Sequence, residues 1–253
     1  MTIFIGYQNH IENASAITVT SEAAGFEKEN AYDWLTSDWW KANSGGTVYF
    51  TVDMGVSVSV DYYAIAAHDL PNNAGTIKLQ HSTNNSTWVD YDSTQTPGNS
   101  APIFRKLASV SRRYWRFVVN STTNASCLGV LSFGEVLELP EAVPPGFTPP
   151  HMARDHKLET NVAERGAFLG RSISRMGYEL MIQQNMVTEA WVRANWESFA
   201  DHADSKPFFF SWNYETYPGD TVLGWADKKL SKPKYLQSGF FSFEIKGRAL
   251  HVV

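Results

Sequence analysis

The chain has 253 residues, 43% hydrophobic and 19% charged, which describes a globular protein and excludes a disordered or fibrous one. A formal net charge of −5 argues against the basic face that a nucleic-acid binder presents, and no apolar run approaches the length of a membrane span. Aromatic residues make up 14%, nine of them tryptophan, an excess that suits a binding or assembly surface as well as a bulky core.

Charge is unevenly spread. Residues 1–140 hold eight Lys/Arg and thirteen Asp/Glu and carry the whole −5, whereas 141–253 hold thirteen of each. The basic run ADKKLSKPKY (226–235) reads as a solvated loop rather than a phosphate track. Cys127 stands alone, so no internal disulfide framework is expected. The opening MTIFIGYQNH has no charged leader and too short an apolar run for a signal peptide, so synthesis and folding in a cytoplasm are expected.

In chain order, the first unusual stretch is AYDWLTSDWW (31–40), three tryptophans set among two aspartates. It reads either as a packed corner folded back on a sheet or as the lining of a site. Strand signals then dominate. GTVYFTVDMG (46–55) alternates Val48, Phe50 and Val52 on one face, VDYYAIAAHD (60–69) is mostly apolar, and GTIKLQHS (75–82) turns Ile77 and Leu79 inward. RYWRFVVN (113–120) and LGVLSFGEVLEL (128–139) follow with the same period, separated by turn clusters such as DLPNNAG and STNNST. Short strands at this spacing predict an antiparallel sandwich or jelly roll.

Five elements in order carry a resemblance: Ala31, Asp33 and Trp40; Asp53-Met54-Gly55; Ser82, Asn84, Asn85 and Trp88; Arg113, Tyr114, Trp115 and Arg116; and Glu135. Over roughly 15–140 they resemble the discoidin or coagulation-factor type C domain, a galactose-binding-like jelly roll. The resemblance implies a corner packed under the barrel and a turn that often holds a structural calcium, with Asp33, Asp38 and Glu135 as its ligands. The alternative is that Asp33 caps its own turn with its carboxylate. The resemblance also implies sugar binding at loops around one end of the barrel. The matching loop AAHDLPNNAG (66–75) offers His68, Asn72 and Asn73, with Trp39 and Arg105 expected nearby as platform and donor. The competing reading makes each a structural or solvated residue, Asn72-Asn73 simply forming a turn.

LPEAVPPGFTPPH (139–151) holds five of the eleven prolines and reads as an extended spacer. The expected fold is therefore mainly β: an antiparallel jelly-roll sandwich over 1–140, a Pro-rich linker over 141–150, and a smaller α+β domain with one packed helix over 151–253. In that second part, ERGAFLGRSISRMGYELMIQQNMV (164–187) predicts a pair of strands around Gly177 or a bend there. Thr188 caps a helix over 189–203, with Val192, Trp196, Phe199 and Ala203 on one face. KPFFFSWNYE (206–215) and GFFSFEIKGRALHV (239–252) predict strands. Phe209 cannot share a face with Phe208 and Phe210, so one set lies under the helix and the other needs a second cover.

The layout FLGRS, Trp-bearing helix, KPFFFSW, YP, GW, KPKY and FSFEIKGRAL resembles the minor and distal tail proteins of long-tailed bacteriophages. That resemblance implies a structural role in a tail tip or baseplate, and a place in the virion. Its implied partners are its own copies in a ring, neighbouring tail-tube and hub proteins, and a host surface glycan. No GxSxG, HExxH, phosphate loop or dinucleotide fingerprint occurs, and His151, Asp155 and His156 are not spaced for a metal, so a non-enzyme is expected. The alternative is a free carbohydrate-binding module, accessory to a hydrolase.

Overall fold

The structure, a computed structural model, describes residues 2–250. It is mainly β, as expected. The strands run β1 (Ile3–Gly6), β2 (Ala16–Val19), β3 (Trp40–Lys41), β4 (Gly46–His68), β5 (Gly75–Ser82), β6 (Val89–Asp90), β7 (Ile103–Ser121), β8 (Cys127–Gly134) and β9 (Leu137–Leu139). After the spacer come β10 (Lys157–Val162), β11 (Phe168–Arg175) and β12 (Tyr178–Thr188). One helix follows, then β13 (Phe208–Ser211), β14 (Thr221–Ala226), β15 (Lys234–Tyr235) and β16 (Phe240–Ala249).

The first sheet has the order β3-β8-β4-β7-β5-β6, with β2 on β4, and all its pairs are antiparallel. The two predicted strands 46–55 and 60–69 are one 23-residue strand. It changes register against β7 between Asp53 and Val58, where Gly55 takes a φ of +73° that a side chain would resist. That bend lets a single strand serve both ends of a curled sandwich. Alternate residues face inward, so Phe50, Val52, Ile77, Leu79, Trp115, Phe117 and Phe133 fill one buried core.

The second sheet has the order β12-β16-β14-β13-β1-β9, with β15 on β16. Two of its strands lie N-terminal to the spacer. Ile5 of β1 stands opposite Phe210 on one side and Leu137 of β9 on the other. A clean division at residue 140 therefore does not follow the sheets. All four residues of β1 are buried because both faces of this sheet are covered.

Helix α1 is built from Glu189–Trp191, Val192–Trp196 and Glu197–Ala203, its middle turn π-helical. Thr188 caps it as predicted, its hydroxyl accepting from the Trp191 N–H at 3.3 Å. Trp196, Phe199 and Ala203 pack on Phe208, Phe210, Ile3 and Ile5 on one face of the second sheet. The opposite face carries Phe4, Phe209 and Leu223, which pack on Trp34, Tyr62, Phe104 and Val130 of the first domain. The second cover that Phe209 needs is thus supplied within the chain. Phe209 therefore needs no second copy of the chain to cover it. Gly6 sits at the contact because a Cβ there would lie 2.6 Å from the Tyr62 ring.

The two strands expected around Gly177 are β11 and β12. They do not pair with each other: β12 runs along β16, and β11 folds back on β10. The β10–β11 hairpin is a sheet of its own. Leu158 stands opposite Ile173 on one face, and Val162, Phe168 and Leu169 lie near the tip. All are at least 45% exposed, so they are not packed against the rest of the chain.

Candidate functional site

The stretch 31–40 is both corner and lining, one tryptophan at a time. Trp40 is buried in the sandwich core, edge-on to Phe50 at 5.3 Å. Trp34 points the other way, into the contact between the two sheets, where its ring meets Phe209 and His202 and its Nε1 donates to Glu12. Its φ of +69° is costly for a bulky residue and is held by that packing. Trp39 remains half-buried, its ring beside Gly129, where a Cβ would stand 3.0 Å from its Cδ1.

Trp39 shares one end of the sandwich with the 68–75 loop. His68 pairs with Leu128, one residue from the Gly129 that Trp39 touches. The loop is tied down firmly. His68 is 4% exposed and donates from Nε2 to the Ala101 carbonyl at 3.0 Å, leaving Nδ1 buried without a partner. Asp69 accepts from the Cys127 N–H at 2.6 Å. Buried Asn73 lends its carbonyl to the Thr122 and Thr123 N–H groups, and Ala74 closes the turn at a φ of +45°. Of this loop's predicted ligands, only Asn72 is freely exposed.

Arg105 is not in this cluster. It lies opposite Tyr63 and forks onto Asp92, Nε to Oδ2 at 2.6 Å and Nη2 to Oδ1 at 3.2 Å. Its charge is already matched, and the Arg105 hydrogen bonds offset burial to hold the Asp92 carboxyl low. Three members of the predicted set, Trp39, Asn72 and His68, therefore share an end of the sandwich. His68 and Asn73 serve the fold there, and Arg105 serves a separate ion pair.

The predicted calcium ligands also separate. Asp33 accepts from the Leu35 N–H at 2.8 Å, the Asx turn of the alternative reading. Burial, with the nearby Asp38 charge, raises the Asp33 carboxyl above its ordinary value. Asp38 has a buried Oδ1 with no partner, an atom a cation would suit. Glu135 is exposed and does not join them, and among the described residues no three His, Cys, Asp or Glu form a group that could hold a metal. The structure therefore does not bring the three predicted carboxylates together as one set.

Burial pushes His68, His81 and His202 below the ordinary 6.5, so each is held neutral in the fold. In the unfolded chain they protonate first as pH falls. Their contribution is complete above about 6.5 and is lost as pH falls through the lowered values. The melting midpoint is expected to drop between pH 7.5 and 5, by roughly 2–4 °C per kcal/mol lost. Thermal melts across that range check this, and a flat profile would contradict it.

Sequence reasoning passed over a different group. Thr18, Thr51, Arg116, Gln80 and Asp90 stand opposite one another across five strands, from β2 through β4, β7 and β5 to β6. Tyr49, diagonal to Arg116, and Trp88 flank its guanidinium at 4.3 and 4.2 Å. The signal was available: Tyr49, Thr51 and Arg116 are the outward positions of strands whose inward positions were assigned.

Residues 15–131 match the F5/8 type C domain. The N-terminal part thus carries a discoidin-like domain. Among solved structures, the chain is similar to chitosan-binding module 1 of a chitosanase/glucanase from a Paenibacillus species. The identity is 20% over 51% of this chain and 99% of that one, with a TM-score of 0.43. A module from Clostridium perfringens, solved with GalNAc-β-1,3-galactose, is 14% identical over 47% of this chain and 94% of its own, with a TM-score of 0.42. A GH29 fucosidase from Ruminococcus gnavus is 15% identical over 51% of this chain, with a TM-score of 0.45, and the chain spans only 27% of its length. No curated protein matches the sequence.

Proposed function

We propose that this chain is a non-catalytic structural component of a bacteriophage tail tip, whose discoidin-like domain contacts a saccharide. The C-terminal sheet holds that domain against the particle. The saccharide part is supported by the F5/8 type C match over 15–131. The observation that carries the assembly part is the β10–β11 hairpin. A lone two-stranded hairpin is marginal in water. This one leaves Leu158, Val162, Phe168, Leu169 and Ile173 uncovered, and clustered exposed apolar side chains mark an interface. Copies of the same chain, or neighbouring tail proteins, are the proposed cover.

Leu169→Glu is expected to change stability by less than about 0.5 kcal/mol, since the residue is 68% exposed. It should nevertheless abolish self-association and incorporation into particles. Light scattering of the full chain, with electron microscopy of the particles, checks both. A rival reading, a free carbohydrate-binding module, is favoured by the same family match. It takes over if the chain stays monomeric, is absent from particles, and binds glycans regardless of the Leu169 change.

A further inference from the structure

Apart from the loop end, the outer face of the first sheet holds an open cleft of about 250 Å³. Arg116, flanked by Tyr49 and Trp88, lines it together with Thr18, Thr20 and Asn85. At that size it is smaller than the roughly 300–1,000 Å³ that encloses a drug-sized ligand, and fits one ring of a longer chain lying across the strands.

Arg105, Arg113, Arg175, Arg193 and Arg248 each have a carboxylate partner. Arg116 has none, and it is set apart by the two aromatic rings that flank it. Its Nε donates to Gln80 Oε1 at 2.7 Å, and neither Nη group donates to another described residue. The nearest acid in the row, Asp90, is engaged by Lys78 and by Gln80. Two aromatic faces and the Gln80 bond therefore lock the guanidinium plane while its terminal donors stay unspent. A planar fork held in this way is preorganised for an oxyanion. Around it stand the exposed Thr18 hydroxyl and the Asn85 amide, groups that hydrogen-bond sugar hydroxyls.

We infer that the Thr18–Tyr49–Trp88–Arg116 cleft binds an anionic saccharide, its charged group on Arg116 and its hydroxyls on Thr18 and Asn85. This rests on the saccharide-binding reading of the discoidin-like domain, and adds both the site and the charge of the ligand. Carboxylate and phosphate share the chemistry that the fork recognises.

The test is calorimetric titration of the full chain with trigalacturonic acid, galactose 6-phosphate and neutral galactotriose, at low and at physiological salt. At least one anionic probe is expected to bind about tenfold more tightly than galactotriose, as a charge-assisted fork allows, and more weakly with added salt. Which anion binds identifies the source of the charge. Thr18→Glu places a like charge at the exposed rim. It should weaken anion binding about tenfold with the melting midpoint unchanged. Arg116→Lys keeps the charge but not the fork, and should lose a similar factor. Galactotriose binding as tightly as both anions would sink the inference and leave the saccharide reading standing. So would anion binding indifferent to Thr18→Glu. If none of the three probes binds and a broad glycan array is also blank, the inference and the saccharide reading fall together.

Discussion

Phe209→Ala is expected to cost about 3–5 kcal/mol and to lower the melting midpoint by about 10 °C. Phe209 is fully buried, with Phe4 and Leu223 on its own sheet and Trp34, Tyr62 and Phe104 across the contact. Its truncation leaves a cavity that neither sheet can collapse alone, because β4 and β7 are fixed by pairing along most of their length. Polar links cross the same contact. Tyr62 Oη donates to the Gln8 carbonyl at 2.8 Å, the Lys106 N–H donates to Tyr214 Oη at 3.2 Å, and Lys206 pairs with Glu12. Denaturant unfolding followed by tryptophan fluorescence and by far-UV circular dichroism should give one coincident transition for the wild type. Separate transitions, or a Phe209→Ala loss below 1 kcal/mol, would show that the contact is incidental.

Deleting residues 2–7 is expected to do more. Ile3, Phe4, Ile5 and Tyr7 are each at most 7% exposed. At about 1.5–3 kcal/mol per buried side chain, their loss rivals the whole stability of an ordinary domain. It also takes from β13 and β9 the strand between them that each pairs with, leaving two open edges in the second sheet. The truncated chain should be cleaved throughout 151–250 by a protease that spares 15–134. A second half that remains resistant would overturn the account given for β1. For the same reason, cleavage in the spacer should leave two pieces that stay associated rather than separate.

Much of the first domain was legible because its signals are local. Alternation at Phe50 and Val52, or at Ile77 and Leu79, states which face is buried, and the motif order states which strands follow. The helix was legible for the same reason, through Thr188 and its apolar stripe. What covers a face is not local. Phe209 demands a cover, but nothing within 206–215 says that Trp34 and Tyr62 supply it. The three tryptophans of 31–40 have similar surroundings in sequence and three different destinations, fixed by turns such as the left-handed one at Trp34. His68 and Asn73 carry the residue types of a sugar site, yet burial and backbone bonding assign them to the loop. Arg116 was read only as a motif residue, and its unspent donors depend on Gln80 and Asp90 from other strands.

Strand β1 also imposes an order of events on the nascent chain. Phe4 leaves the ribosome long before its ladder partner, Ser211, has been made. Until then Ile3–Gly6 has β9 on one side but an open ladder edge on the other, in a wholly apolar β segment. Contacts this distant in sequence close slowly, and exposed strand edges invite association with other chains. The discoidin-like sandwich has no such delay, since strands β2 to β8 can pair as soon as residue 134 emerges. Synthesis thus passes through a stage with a finished head and a waiting tether.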